Sequence, residues 1–146
     1  MTRPVRNEPS ACTCLRLRKA TRRLSQIYDR HLASCGLSVT QFGLLAQLKA
    51  SPGISIGALA ERLIMDPTTL TRGLRPLERR GLVAIVPNPE DRRTRLLTLT
   101  PAGIEIHRAG RPLWANAQRE VERLNGAAET DALHATLDAL LERCAP

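Results

Sequence analysis

Apolar positions recur at spacings of three and four along most of the chain, and short polar or glycine-bearing segments separate the recurrences. In CLRLRKATRRLSQIYDRHL, the residues Cys14, Leu17, Ala20, Leu24, Ile27 and His31 form one stripe. This predicts an amphipathic helix with basic flanks, stopped by Gly36. Residues 1–11 ahead of it are polar and proline-containing, which predicts a loose arm. In LSVTQF, Ser38 and Gln41 have the spacing of a capping box, and Leu37 and Phe42 that of a hydrophobic staple. The helix they open is expected to reach about Ala50. SPG then turns the chain, and Ser55 caps a short third helix with Ile56, Leu59, Ala60 and Leu63 facing inward.

Asp66, with Pro67 at the first helical position, opens a fourth helix in DPTTLTRGLRPLERRGLV. Steps of about 100° per residue put Leu70, Leu74 and Leu77 on one side and Thr68, Arg72, Arg75 and Arg79 on the other. One side calls for a core and the other for an anion. Pro76 removes a backbone donor and predicts a bend between Arg72 and Pro76. After Gly81 the period changes: LVAIVP and TRLLTLT flank NPEDRR, a hairpin with a long charged tip in which Glu90 and Asp91 are expected to tether arginines. Thr100 and Pro101 open a fifth helix, expected to break around Gly110 and Pro112 and to resume through Trp114, Ala117, Val121 and Leu124. A sixth carries Leu133, Leu137, Leu140 and Cys144 on one stripe. There is no internal repeat and no low-complexity tract.

At 146 residues and 42% hydrophobic, the chain suits one ordinary domain with a core of its own. Its formal charge of +8 comes almost wholly from arginine, since Lys19 and Lys49 are the only lysines. Guanidinium forks match phosphates and base edges, so nucleic acid outranks a generic acidic partner. Tyr28, Phe42 and Trp114 are the only aromatics, too few for base-stacking platforms, which favours duplex DNA over RNA. No stretch has the apolar core of a signal peptide or the roughly 18 residues of a membrane span. A cytoplasmic protein with no membrane partner is expected, its four cysteines reduced at rest. None of the phosphate-loop, dinucleotide, zinc-protease or serine-hydrolase signatures is present, so no enzyme, cofactor or catalytic metal is expected.

The order of elements is the plan of a winged helix-turn-helix: short helix, tight connection, capped helix with Thr and Arg outward, then a hairpin tipped by Arg92, Arg93 and Arg95. The expected fold is mainly α, with six helices and a small β-hairpin wing, in which the second helix of the unit enters the major groove. Residues 37–100 form the winged-helix unit. The helices within 12–36 and 101–144 carry apolar stripes without an internal partner, which predicts a homodimer presenting two such helices to a pseudo-palindromic site. Arg72 and Arg75 are the candidates for base readout; Arg79, Arg92 and Arg95 are placed for phosphates.

In LSVTQFGLLAQL, LAERLIMDPTTLTRGLRPLERRGLV and NPEDRRTRLLTLTPAG, the chain resembles the MarR transcriptional regulators. The resemblance implies a homodimer built from the chain ends, binding to double-stranded DNA, and repression relieved by a small-molecule effector or by oxidation. By position it marks Thr68, Thr69, Thr71, Arg72 and Arg75 as groove-facing and Arg93 as the wing arginine; Pro76 departs from the commoner pattern. A second resemblance, to the organic-hydroperoxide-sensing branch, places Cys14 at the peroxidatic cysteine and Tyr28 at a supporting tyrosine, while that branch's other two tyrosine positions are Arg18 and Val39 here. Cys144 is the candidate to capture an oxidised Cys14. Two other readings remain open at this stage: a soft-metal-responsive repressor using Cys12, Cys14 and Cys144, and a winged-helix protein-interaction module. For Cys14 itself the bland alternative is a small packed core residue.

Overall fold

A computed structural model describes residues 9–146 of the chain. Residues 1–8 of the expected arm lie outside the described residues, and its last three, Pro9–Ala11, form one 3-10 turn. Six helices and three short strands follow: α1 Thr13–Leu32, α2 Val39–Ala50, β1 Ile54–Ser55, α3 Ile56–Arg62, α4 Pro67–Arg79, β2 Val83–Pro87, β3 Arg95–Leu99, α5 Pro101–Asn125 and α6 Ala127–Arg143.

The helix starts are where side-chain chemistry puts them. Ser38 Oγ accepts from Gln41 N at 3.1 Å while Gln41 Oε1 accepts from Ser38 N, a complete capping box. Ser55, Asp66 and Thr100 cap α3, α4 and α5 in the same way, each accepting from the amide three residues on. The strands form one antiparallel sheet in the order β1-β3-β2, with Ile85 opposite Leu97 in the hairpin and Ile54 opposite Leu97 on the other edge. The two-residue β1 was not visible in the hydrophobic pattern. Its alternation is too short to register, and Ser55 serves it and the α3 cap at once.

The main core lies among α2, α3, α4 and the sheet. Leu70, Leu74 and Leu77 have no exposed surface, and they pack with Leu44, Leu45, Leu48, Leu59 and Leu97. Burying each such leucine contributes about 1.5–3 kcal/mol, so the apolar side of α4 fastens that helix to its unit. A second, smaller cluster of Ile27, Ala117 and Val121 joins α1 to α5, with Leu24 and Tyr28 beside it. Polar contacts edge this seam: Tyr28 Oη donates to Gln118 Oε1, and Glu120 accepts from Arg30 Nη2 at 2.9 Å and pairs with His31 Nε2 at 2.6 Å.

Two expectations are corrected. Helix α5 does not break at Gly110 and Pro112 but runs for 25 residues through both. Gly110 is a packing glycine: a Cβ there would come within 2.9 Å of the Phe42 ring. Packing of α5 on α1 and α2 holds the helix together across the proline, overriding a local breaker signal. Pro76 lies inside α4, which runs through it to Arg79. Finally, the α1 stripe is buried only toward its C-terminal end; Cys14, Leu17 and Ala20 are exposed in the protomer, so Cys14 is not a core residue of the single chain.

At the junction of α1, α2 and α5, Phe42 stacks on His107 at 5.3 Å between ring centroids and on Trp114 at 6.5 Å, and Tyr28 lies 6.4 Å from Trp114. Burial there, followed by the charges of Arg111 and Lys49, holds His107 below its ordinary value of 6.5. The unfolded chain therefore binds this proton more readily than the folded one. The stability that neutral His107 protects is complete above pH 6.5 and declines as the pH falls below it. Thermal melts at about pH 7.5 and about pH 5.5 should show wild type losing more than His107→Gln over that interval; equal losses would refute the assignment.

Candidate nucleic-acid interface

The solvent side of α4 carries Thr68, Arg72, Arg75 and Arg79, all exposed, opposite the three buried leucines, with Thr69 exposed on its flank. Thr71 is half-buried, and its hydroxyl donates to the Pro67 carbonyl at 2.8 Å, so it faces the helix backbone more than the groove side. Asp66 Oδ2 accepts from Thr69 N at 3.0 Å, which fixes the first turn of the helix. The N-terminal end of α4 is thus both capped and polar, with two threonine hydroxyls at its outer surface.

The hairpin projects Arg92, Arg93 and Arg95 into solvent. Its tip is shaped by short polar side chains that bond backbone amides. Asn88 Oδ1 accepts from Glu90 N at 3.0 Å, and Asp91 accepts from Arg93 N at 3.1 Å and from Thr94 Oγ1 at 3.0 Å. Here too an expectation is corrected: Asp91 organises the turn through its backbone and does not tether arginine side chains. Among the described residues the ion pairs are Arg30–Glu120, His31–Glu120 and Arg108–Glu105. The guanidinium groups of α4 and of the wing stand outside all three, so their charge faces solvent.

One arginine of the same run has a different task. Arg80 donates from Nη1 to the Gly36 carbonyl at 2.7 Å and from Nη2 to the Cys35 carbonyl at 3.2 Å, tying the end of α4 to the turn after α1. Sequence reasoning passed over it, because nothing in ERRGL separates a structural from a solvated arginine.

The cysteines do not gather. Cys12 caps α1, its Sγ accepting from Leu15 N at 3.4 Å, and Cys12, Cys14 and Cys144 are all exposed. Among the described residues no group of three or more His, Cys, Asp or Glu side chains is placed to hold a metal ion. A soft-metal site made of Cys12, Cys14 and Cys144 therefore has no geometric basis within one protomer. Cys14 and Tyr28 stand fourteen residues apart on one continuous helix, about 21 Å along its axis, so they can meet only between two chains. An apolar hollow of about 390 Å³ opens among α1, α5 and α6, lined by Leu24, Ile27, Tyr28, Val121, Leu124 and Leu133. Among the described residues no helix is long and apolar enough to cross a membrane.

The MarR family pattern matches residues 37–94, from the start of the α2 cap to the wing. The transcriptional regulator HosA of Escherichia coli O111:H- is 32% identical over 114 residues, covering 74% of this chain and 84% of that one. The chain belongs to the MarR family. A further MarR-like relative, the transcriptional activatory protein BadR of Rhodopseudomonas palustris, is 35% identical over 94 residues, and the match spans 62% of this chain but only about half, 54%, of BadR. Among solved structures, the M. tuberculosis transcriptional regulator MosR in complex with DNA is 35% identical, with a TM-score of 0.79 over 92% of this chain and 99% of that one. The winged helix-turn-helix of this MarR-family chain is thus the fold of proteins that regulate transcription.

Proposed function

We propose that the chain is a homodimeric repressor that binds a pseudo-palindromic duplex operator through α4 and the wing, and releases it when a small-molecule effector or thiol oxidation acts on the outer helices. The observation that carries the reading is the two-sided α4: Leu70, Leu74 and Leu77 fully buried, with Arg72 and Arg75 exposed and outside every ion pair found among the described residues, beside a wing bearing Arg92, Arg93 and Arg95. The likeness to MosR, solved in complex with DNA, supports the same use of the fold here. Thr68, Thr69, Arg72 and Arg75 read base edges; Arg79, Arg92, Arg93 and Arg95 meet backbone or minor groove, setting affinity and salt dependence. The exposed Leu17, Leu124, Leu133 and Leu141 on α1, α5 and α6 support a second copy as the cover for these helices.

The test is fluorescence-anisotropy binding to the DNA upstream of the chain's own gene across a salt series, with reduced and cumene-hydroperoxide-treated protein side by side. Tight binding that weakens steeply with salt supports the regulator; no preference over random DNA refutes it. In the oxidation arm, the Cys14 thiolate attacks the hydroperoxide, becoming a sulfenic acid as the peroxide is reduced to the alcohol. The Cys144 thiol of a second copy then displaces water to form a disulfide. Cys14→Ser is expected to stay on DNA through peroxide treatment that releases wild type. Release of both alike would leave effector binding as the switch.

A further inference from the structure

Ile64 lies in the turn between α3 and α4 with φ of 53°, the left-handed region, and is the only non-glycine residue among the described residues with positive φ. A β-branched side chain is poorly suited to that conformation. The cause is the way α3 ends. Met65 N donates to the Ala60 carbonyl at 2.8 Å and Ile64 N to the Glu61 carbonyl at 3.1 Å, the paired bonds of a Schellman motif whose left-handed position is Ile64. Helix α4 ends in the same motif: Leu82 N donates to Leu77 O and Gly81 N to Glu78 O, with the left-handed position filled by Gly81 at φ of 69°. The chain therefore closes one helix of the unit with glycine and the other with isoleucine, although the turn of a helix-turn-helix often contains glycine.

Packing does not account for the isoleucine. Its side chain is 76% exposed, the highest value among the large hydrophobic residues that stand out from the surface. It is strained in its backbone and unsheltered in its side chain, two penalties that the free protein does not offset. Its place supplies the missing partner. Ile64 precedes the Asp66 cap by two residues and Thr68 by four, at the end of α4 that enters the groove on the reading above.

We infer that Ile64 is an apolar DNA contact, docking at the rim of the major groove against a thymine methyl or the carbon face of a deoxyribose next to the bases read by α4. The inference rests on the DNA-binding reading and adds to it a specificity residue that carries no charge and lies outside the recognition helix. Because such a contact releases no counterions, its loss weakens binding without changing the salt slope, unlike loss of an arginine-phosphate contact.

The experiment starts from duplexes selected by the wild-type protein out of a random library and compares wild type with Ile64→Gly, Ile64→Asn and Ile64→Leu. Glycine and asparagine accept the left-handed conformation, so both variants should melt a few degrees higher than wild type. Both should also bind the selected duplex about tenfold more weakly per half-site, with an unchanged slope of log affinity on log salt. Leucine keeps an apolar surface and should retain most of the affinity. Replacing thymine by uracil along the duplex separates the two docking partners: a position that costs wild type affinity but not Ile64→Gly marks a base methyl, and its absence marks the sugar. Undiminished affinity in Ile64→Gly and Ile64→Asn overturns the inference while leaving DNA binding intact. Failure of the wild type to enrich any duplex overturns the DNA-binding reading itself.

Discussion

Replacing Arg72 and Arg75 together by alanine is expected to abolish preference for the operator over random duplex while leaving the fold untouched. A bidentate arginine-guanine contact is worth about 1–3 kcal/mol of discrimination, and each protomer loses two candidates for it. Both side chains are exposed and make none of the ion pairs found among the described residues, so their removal leaves no buried group unpaired. The melting temperature should therefore stay close to that of wild type. Removing Arg92 and Arg95 from the wing should behave differently, lowering affinity for every sequence and flattening the salt dependence. Anisotropy titrations on operator and random duplex, each at two salt concentrations, distinguish the outcomes. Retained operator preference in the double variant would remove Arg72 and Arg75 from the reading role and pass it to other residues.

The largest loss of stability is expected from one added methyl group. A Cβ at position 103 would overlap the Leu82 carbonyl oxygen, a backbone atom that cannot rotate away. That carbonyl also accepts from Thr100 N at 3.1 Å, while Thr100 Oγ1 accepts from Gly103 N at 3.1 Å and donates to the Gly81 carbonyl at 2.6 Å. Thr100 thus joins the start of α5 to the end of α4, and glycine at 103 is what allows the approach. Gly103→Ala must push α5 off this seat, breaking several of these bonds together, at about 3 kcal/mol. In a chain of this size that lowers the melting temperature by about 10 °C. Gly57→Ala is the matched control: it lies in α3 with nothing near the position of a Cβ, and helix propensity alone should make it neutral or stabilising. Equal effects at the two sites would show that the seat at Leu82 is not tight.

Much of the architecture was legible because it rests on local chemistry. Ser38 with Gln41, Asp66 with Pro67, and Thr100 with Pro101 announce helix starts by the amides they satisfy, and the leucine spacing of α4 announces which side is buried. The candidate interface was legible for the same reason, since exposure of Arg72 and Arg75 follows from their place opposite Leu70, Leu74 and Leu77. What could not be read depends on neighbours distant in sequence. Gly110 and Pro112 look like breakers until Phe42 is known to press on one of them. Arg80 looks like Arg79 until the carbonyls of Cys35 and Gly36 are brought to it. Asp91 looks like an ion-pair partner until its oxygens are seen on Arg93 N and Thr94 Oγ1. Thr71 is groove-facing by the family resemblance, yet its hydroxyl is turned to Pro67.

Trp114 is the only tryptophan in the chain, and it sits 40% exposed where α1, α2 and α5 meet, between the rings of Tyr28 and Phe42. The protein therefore carries an intrinsic optical reporter at the joint between its outer helices and its winged unit. The wavelength of the indole emission registers the wetness of that joint directly. Any event that shifts the outer helices against the winged unit can be followed in unlabelled protein, in real time, by its own fluorescence.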